Sequence, residues 1–381
     1  MESQTTKVTY TTTTNDKDET VITVTINENE EPLMAPDPQF DEMSIGAGTW
    51  PFYHQPVHET MTIAAFIASD YRMDPSTTYE KAINEYQKDN LEFLRGVVWN
   101  DDPENELFNN NIDDNFHRGL GGDWVARFAK GKIPGVDCTK DGFFGRDNMI
   151  IRSHFGDLQF LHSMADNEGE QPQDTKTKIM IWLEIMYKVA IGQISKDTRL
   201  RDVELPRDNE HDRYPLRRLF TQNTAPRDTD TIHNLLVWGC CYNNVKHDRR
   251  ALGSCLHVIQ DSYARGHCHR RTQHDGPPKQ FAEVLNFHSY KGQDSHKHDE
   301  YDFGDKKMSR INCADISHFK DMDGCTDGII QCTKLINFWM KKQPWEDQVS
   351  SWLKDEVFQV SPNATPSNTE VNVFSIPYIR M

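Results

Sequence analysis

The chain has 381 residues, 36% of them hydrophobic and 27% charged, and this length suits one large domain or two ordinary ones. Its 59 acidic residues outnumber its 42 basic residues and give a net charge of −17. This balance argues against an extended nucleic-acid-binding surface, where Lys and Arg supply most of the affinity. Apolar runs stay below the roughly 18 residues of a membrane span, so no transmembrane segment is expected.

The first 42 residues are predicted to form an extended arm and a linker. Residues 7–14 and 20–26 alternate and are rich in β-branched side chains, which predicts a β-hairpin. Residues 27–42 are acidic and contain prolines, as linkers do. The arm lacks the basic and apolar stretches of a secretory signal, so no signal peptide is expected in the sequence as written. The compartment is not assigned, a cytoplasmic location and export by a non-classical route being the alternatives.

Residues 43–358 have the pattern of one all-α domain with long loops. Apolar residues recur at helical spacing in the segments 57–71, 78–98, 178–195, 231–246, 249–264, 327–342 and 345–358. Loops rich in Asp, Asn, Gly and Pro are predicted at 100–150, 196–230 and 268–310. An extended tail is predicted at 359–381.

The strongest chemical signal lies at the end of the predicted helix 249–264. His257 and Asp261 are four residues apart, so their side chains share a helix face and can bind a common ion. Gly266 is typical of a helix end and allows His267 to turn back over it. Neutral imidazole and carboxylate are ligands that zinc uses. The alternative is an exposed polar helix face, where such pairs are common.

Other segments supply further candidate ligands. His58 begins a predicted helix, Asp101 and Asp102 follow the end of another, and His154 lies within a Ser-His-Phe segment. Each residue alone is more often a helix cap or a satisfied polar group than a ligand. Together with the helix 249–264 they provide enough His and Asp for a multinuclear site.

The order and spacing of these residues resemble the trinuclear zinc phospholipase C and single-strand nuclease superfamily. The shared features are a helix-initial His58, a Trp-x-Asp that ends at Asp101, a Ser-His-Phe-x-Asp that contains His154, a His-x3-Asp-x5-His that begins at His257, and a later His-x3-acid. The resemblance covers roughly residues 45–305. It implies an all-α, multi-helix phospholipase C/nuclease-like fold.

Longer strings narrow the resemblance to one branch of this superfamily. Residues 96–103, 154–162 and 261–267 are most similar to the phosphatidylcholine-type phospholipases C of bacteria and fungi. The branch implies a lipid or small-molecule phosphodiester as the substrate.

The resemblance also implies which residues hold the first two ions. It places His154 and His257 on one ion with Asp101 close by, and His58 on a second ion. Asp261 would bridge the two.

The third ion would be bound by His267 and a later His-x3-acid pair. Two such pairs interleave, His298 with Asp302 and His296 with Glu300, and they point to opposite sides of a helix, so only one can face the site. We favour His298 and Asp302 because Lys-His-x3-Asp resembles the branch pattern better. The other pair stays the alternative, and His288 is a third candidate, whose more usual role would be to pack or to orient a ligand.

The chain departs from the superfamily at one ligand. Founding members bind an ion through an N-terminal Trp, whereas here Trp50 lies eight residues before His58 with a long segment ahead of it. His54, Glu59, a backbone carbonyl or a water molecule are the candidates for its replacement.

These implications predict a zinc-dependent phosphodiester hydrolase of the phospholipase C type with about two to three zinc ions, iron and manganese being the alternative metals. Asp101 is the expected catalytic residue that orients or deprotonates the attacking water, with Asp102 as its competitor. Acids such as Asp157 are expected to fix the imidazole tautomers. The alternative functions are a nuclease or phosphatase with the same site, and a metal-bearing scaffold used for non-phosphate chemistry, such as a lyase or cyclase.

Overall fold

A computed structural model describes residues 7–14, 20–27, 56–85, 88–103, 149–206, 211–221, 227–237, 245–273, 280–293, 298 and 311–369. The chain divides into two compact units, Met1–Met43 and Ser44–Met381. Helix predominates in the described residues, as the sequence predicts, and short strand pairs accompany it.

The first unit contains the predicted β-hairpin. β1 (Lys7–Thr14) pairs antiparallel with β2 (Thr20–Asn27), in a register that sets Lys7 opposite Asn27 and Thr14 opposite Thr20. The many Thr, Val and Ile residues of the two strands favour this extended backbone.

The second unit contains the helices. Those of the described residues are α1 (Val57–Ala68), α2 (Tyr79–Glu85), α3 (Lys88–Val98), α4 (Met149–Phe155), α5 (Pro172–Ala190), α6 (Ile232–Leu236), α7 (His247–Asp261), α8 (Cys325–Met340) and α9 (Ser350–Trp352). π-helical turns at Trp345–Val349 and Leu353–Val357 flank α9. Within the described ranges, no helix combines the length and the apolar character that crossing a membrane requires.

Local signals fix several helix boundaries. Pro172 occupies the start of α5, where its missing N–H costs nothing. The Thr231 side chain accepts a hydrogen bond from the Asn234 N–H and caps α6. Gly324 precedes α8 with a φ of 82°, a conformation that suits glycine.

Two strand pairs lie in segments for which we predict loops, and the prediction is wrong there. β3 (Glu204–Pro206) pairs with β4 (His211–Arg213), and β5 (Cys268–Thr272) pairs with β6 (Phe281–Phe287), both antiparallel. Val284 and Phe287 of β6 are completely buried, so tertiary packing outweighs the polar composition of this region. The Val284 N–H also bonds to the carbonyl of Gln359 at 2.7 Å, which places the start of the tail beside β6.

α7 lies at the centre of the second unit and packs against α3, α5 and α8. Its closest approach to α3 depends on glycine. A Cβ on Gly253 would lie 2.5 Å from the carbonyl oxygen of Phe93 and 2.6 Å from Cα of Gly96. Because α7 is enclosed in this way, His257, Gln260 and Asp261 are completely buried, and any site that they form lies inside the unit.

Candidate metal centre

Asp261, the last residue of α7, lies at the centre of a buried group of histidines. Its Oδ2 is 2.8 Å from Nε2 of His257, 3.1 Å from Nδ1 of His162 and 3.5 Å from Nδ1 of His267. Its Oδ1 is 3.3 Å from Nε2 of His58. Four imidazoles therefore surround one carboxylate.

Separate elements bring these side chains together. His58 is in the first turn of α1, and its position fits the predicted helix start. His162 ends a 3-10 turn, Gln159–His162, that precedes the left-handed residue Ser163. His267 lies between α7 and β5. Because α7 already ends at Asp261, the prediction that Gly266 marks the end of this helix is wrong.

Asp101 joins the group from the end of α3. Its Oδ1 is 3.7 Å from Nδ1 of His162, and its Oδ2 is 3.9 Å from Nδ1 of His257. Among the described residues, three buried groups have ligand atoms within 4.8 Å of one another: His58, His257 and Asp261; Asp101, His162 and His257; and His162, Asp261 and His267. These buried groups could hold a metal ion. Asp102 is also buried but belongs to none of the three.

Three of the buried histidines make the same kind of hydrogen bond, in which Nδ1 donates to a main-chain carbonyl. The pairs are His154 to Ile150 at 2.8 Å, His257 to Val97 at 2.6 Å, and His267 to His162 at 2.8 Å. A carbonyl oxygen only accepts, so the proton of each neutral ring is on Nδ1 and the lone pair is on Nε2. A metal-binding histidine is oriented in the same way.

Two further histidines donate Nδ1 to a glutamine side chain. His58 bonds to Oε1 of Gln260, and His298 bonds to Oε1 of Gln293, both at 2.8 Å. The amide nitrogens of these glutamines donate to Thr62 Oγ1 at 2.9 Å and to the Gly266 carbonyl at 2.8 Å, which leaves each Oε1 as the acceptor. Nε2 is again the nitrogen with the lone pair.

This arrangement directs a lone pair of His257 at an oxygen of Asp261, and two acceptors 2.8 Å apart require a proton or a cation between them. The electrostatics agree. Burial lowers the pKa of His257, but Asp261 and Asp101 outweigh burial and the pKa lies above its ordinary value. Burial raises the pKa of Asp261, but the histidines outweigh burial, led by His257, and hold the pKa well below its ordinary value. A cation can replace the proton that this pair retains.

His154 and His298 lie at the margins of the cluster. The His154 ring centroid is 4.7 Å from that of His162, and the His298 ring centroid is 4.7 Å from that of His267. Burial lowers the pKa of His154 well below its ordinary value, which keeps the ring neutral. Neither residue belongs to the three groups found among the described residues.

Some predicted site residues lie outside the described residues. They are Asp302, the alternative pair His296 and Glu300, Trp50, and His54, which is one candidate to replace the N-terminal tryptophan ligand of the superfamily.

Glu59 is completely buried in the first turn of α1. Burial, with a smaller contribution from Asp101, raises the pKa of Glu59 well above its ordinary value. It belongs to none of the three groups found among the described residues.

The expectation that Asp157 fixes imidazole tautomers is wrong. Its carboxylate accepts two hydrogen bonds from Arg152, at 2.8 and 3.0 Å, and one from the Thr221 hydroxyl at 2.9 Å. Carbonyl oxygens and glutamines orient the histidine rings instead.

His162 is the site residue that sequence reasoning missed. It belongs to two of the three groups, yet the superfamily pattern assigns it no role. The available signal was a second histidine eight positions after His154 in one segment.

Comparisons with known proteins give no match: no family model, curated protein or solved structure is significantly similar to the chain. What the site can do is therefore inferred from the chemistry of its own side chains.

Proposed function

We propose that the chain is a zinc-dependent phosphodiester hydrolase of the phospholipase C type that acts on the headgroup phosphodiester of a phospholipid. The observation that carries the proposal is the environment of Asp261. Four histidine nitrogens lie within 3.5 Å of its carboxylate. Such convergence around one buried charge is characteristic of a metal centre rather than of a packed core.

The donor set fits zinc. Neutral imidazole nitrogens and carboxylate oxygens are its usual ligands, whereas calcium and magnesium prefer oxygen alone. The hydrogen bonds from Nδ1 of His58 and His257 keep both rings in the tautomer that a metal requires. Iron and manganese accept similar ligands, so the identity of the metal belongs to the proposal.

When bound, the zinc ions supply an acidified water molecule and a positively charged clamp for the phosphate oxygens. The protein contributes the negative charge and the orientation. Asp261 offers one oxygen to His58 and the other to His257, so it is suited to bridge two ligand groups. Asp101, buried at the edge of the same cluster, would orient the attacking water and accept its proton.

Three of the buried arginines in the described residues are bound by acceptors of the fold, which supports a phosphate clamp that does not depend on them. Arg152 is bound to Asp157, Arg250 donates to the Leu236 carbonyl, and Arg270 donates to the Val357 carbonyl. Each of these groups has a structural acceptor. A phosphodiester in this site would therefore be neutralised mainly by metal ions, which agrees with the acidic composition.

A comparison of substrates tests the proposal. Protein purified without chelator is given phosphatidylcholine vesicles, single-stranded DNA and p-nitrophenyl phosphate in parallel. We expect release of phosphocholine that a chelator abolishes and added zinc restores. Hydrolysis of DNA or of the monoester alone would indicate the nuclease or phosphatase function instead. A zinc-loaded protein that cleaves none of the three would contradict the proposal.

A further inference from the structure

We propose that His162 is a metal ligand that binds through Nδ1 and connects two of the ligand groups, the one with Asp101 and His257 and the one with Asp261 and His267. The inference rests on the proposed metal centre and extends it to a residue that the superfamily pattern leaves out. That pattern gives the corresponding position to His154. In the structure His162 takes part in two of the ligand groups, and His154 takes part in none of those found among the described residues.

The geometry around His162 carries the proposal. Its Nδ1 is 3.0 Å from Nε2 of His257 and 3.1 Å from Oδ2 of Asp261, and the last two atoms are 2.8 Å apart. Three ligand atoms thus form a nearly equilateral triangle. Neighbouring ligands of a tetrahedral zinc ion with bonds of about 2.0 Å are roughly 3.3 Å apart, so a small outward shift of the side chains is sufficient.

When both rings are neutral, hydrogen bonding satisfies only part of this triangle. The proton of neutral His257 is on Nδ1, bonded to the carbonyl of Val97, so its Nε2 is an acceptor. The Asp261 oxygen is also an acceptor. A single proton on His162 Nδ1 can reach only one of them well, whereas a cation interacts favourably with all three atoms.

The turn that carries His162 is held from both sides. The Asn100 side chain donates to the Leu161 carbonyl at 2.7 Å, and the Ser163 hydroxyl donates to the Val258 carbonyl at 2.6 Å. The His162 carbonyl in turn accepts the Nδ1 proton of His267. One residue therefore offers a ligand atom and also orients a neighbouring candidate ligand, an arrangement expected of a preorganised site.

Ligation through Nδ1 places the ring proton on Nε2. This nitrogen is buried and has no hydrogen-bond partner among the residues that the structure describes. A water molecule or a phosphate oxygen in the site would supply the acceptor that this N–H lacks.

The test compares metal binding by His162→Ala with that of His288→Ala. His288 is equally buried, bonds to Asn368 and lies outside the three ligand groups, so it is a matched control. Zinc per chain, zinc affinity and the visible spectrum of the cobalt-substituted protein are measured. We expect His162→Ala to lose one ion or to bind zinc at least tenfold more weakly, with an altered cobalt spectrum. His288→Ala should retain all three properties.

Wild-type stoichiometry, affinity and cobalt spectrum in His162→Ala would overturn the inference while leaving the proposed metal centre in place. A wild-type protein that binds no zinc would overturn the proposed function itself. The free energy of unfolding of the metal-free variants, compared with that of the metal-free wild type, shows whether a substitution acts on the fold rather than on metal binding. If metal-free His162→Ala is unfolded, His162→Gln, which largely keeps the volume, replaces it, and normal zinc binding by that variant would again refute the ligand role.

Discussion

Asp261→Asn should be the most damaging conservative substitution in the described part of the chain. The change preserves the shape of the side chain and one acceptor oxygen but removes its charge. In the wild-type protein the two carboxylate oxygens face His257, His162, His267 and His58 at 2.8 to 3.5 Å. The amide would turn an N–H₂ group toward at least one of these rings, where it cannot bind a cation.

The magnitude follows from the number of groups that Asp261 serves. Loss of a residue that only orients a metal ligand typically costs about 10 to 100-fold in affinity. Asp261 is itself a potential ligand and takes part in two of the three groups. We therefore expect zinc affinity to fall by at least about 100-fold, which corresponds to about 2.8 kcal/mol. Hydrolysis should fall by orders of magnitude because the activated water is lost with the metal.

The assay measures zinc content after dialysis, zinc affinity by competition with a chelating dye, and helix content by circular dichroism. Asp166→Asn is the matched control, since Asp166 is another buried aspartate but is bonded to Lys178 outside the cluster. We expect unchanged helix content in both variants and loss of zinc in Asp261→Asn alone. Normal zinc content in Asp261→Asn, or equal loss in the two variants, would refute the assignment of the bridging carboxylate.

Three other predictions concern packing, pH and the arm. Gly253→Ala should destabilise the fold by roughly 1 to 3 kcal/mol, because the new Cβ would clash with the main chain of Phe93 and Gly96. The destabilisation would be measured as a lower urea midpoint of unfolding, and an unchanged midpoint would contradict this close packing. Zinc affinity should fall as the pH is lowered from 8 to 6. Burial lowers the pKa of His257, but Asp261 and Asp101 outweigh burial and raise it, so a proton competes with zinc for the ring. An affinity independent of pH would argue against His257 as a ligand. Deletion of residues 1–40 should leave zinc content and turnover intact, and loss of metal would show that the arm completes the site.

The sequence was sufficient to predict the local part of the site. A spacing of four residues on a helix determines that His257 and Asp261 share a face, whatever the tertiary structure. The helical pattern over residues 57–71 likewise predicts the start of α1, which begins at Val57 and has His58 in its first turn. Such features depend on periodicity, which is encoded over a few neighbouring positions.

The remainder depends on tertiary contacts that no local pattern contains. His162 reaches the cluster because the chain adopts a left-handed conformation at Ser163 and because the hydroxyl of that serine bonds to the main chain of α7. His58 is oriented by Gln260, 202 positions away. The strands β5 and β6 form because Val284 and Phe287 are buried, although the segment is polar overall. Tertiary contacts decided each case.

The most direct test of the metal centre is the number of zinc ions per chain, measured by inductively coupled plasma mass spectrometry on folded protein purified without chelator. The His and Asp groups around Asp261 predict about two to three ions. A folded protein that carries one ion or none, even after exposure to excess zinc and dialysis, would contradict the multinuclear centre on which the proposed hydrolysis depends.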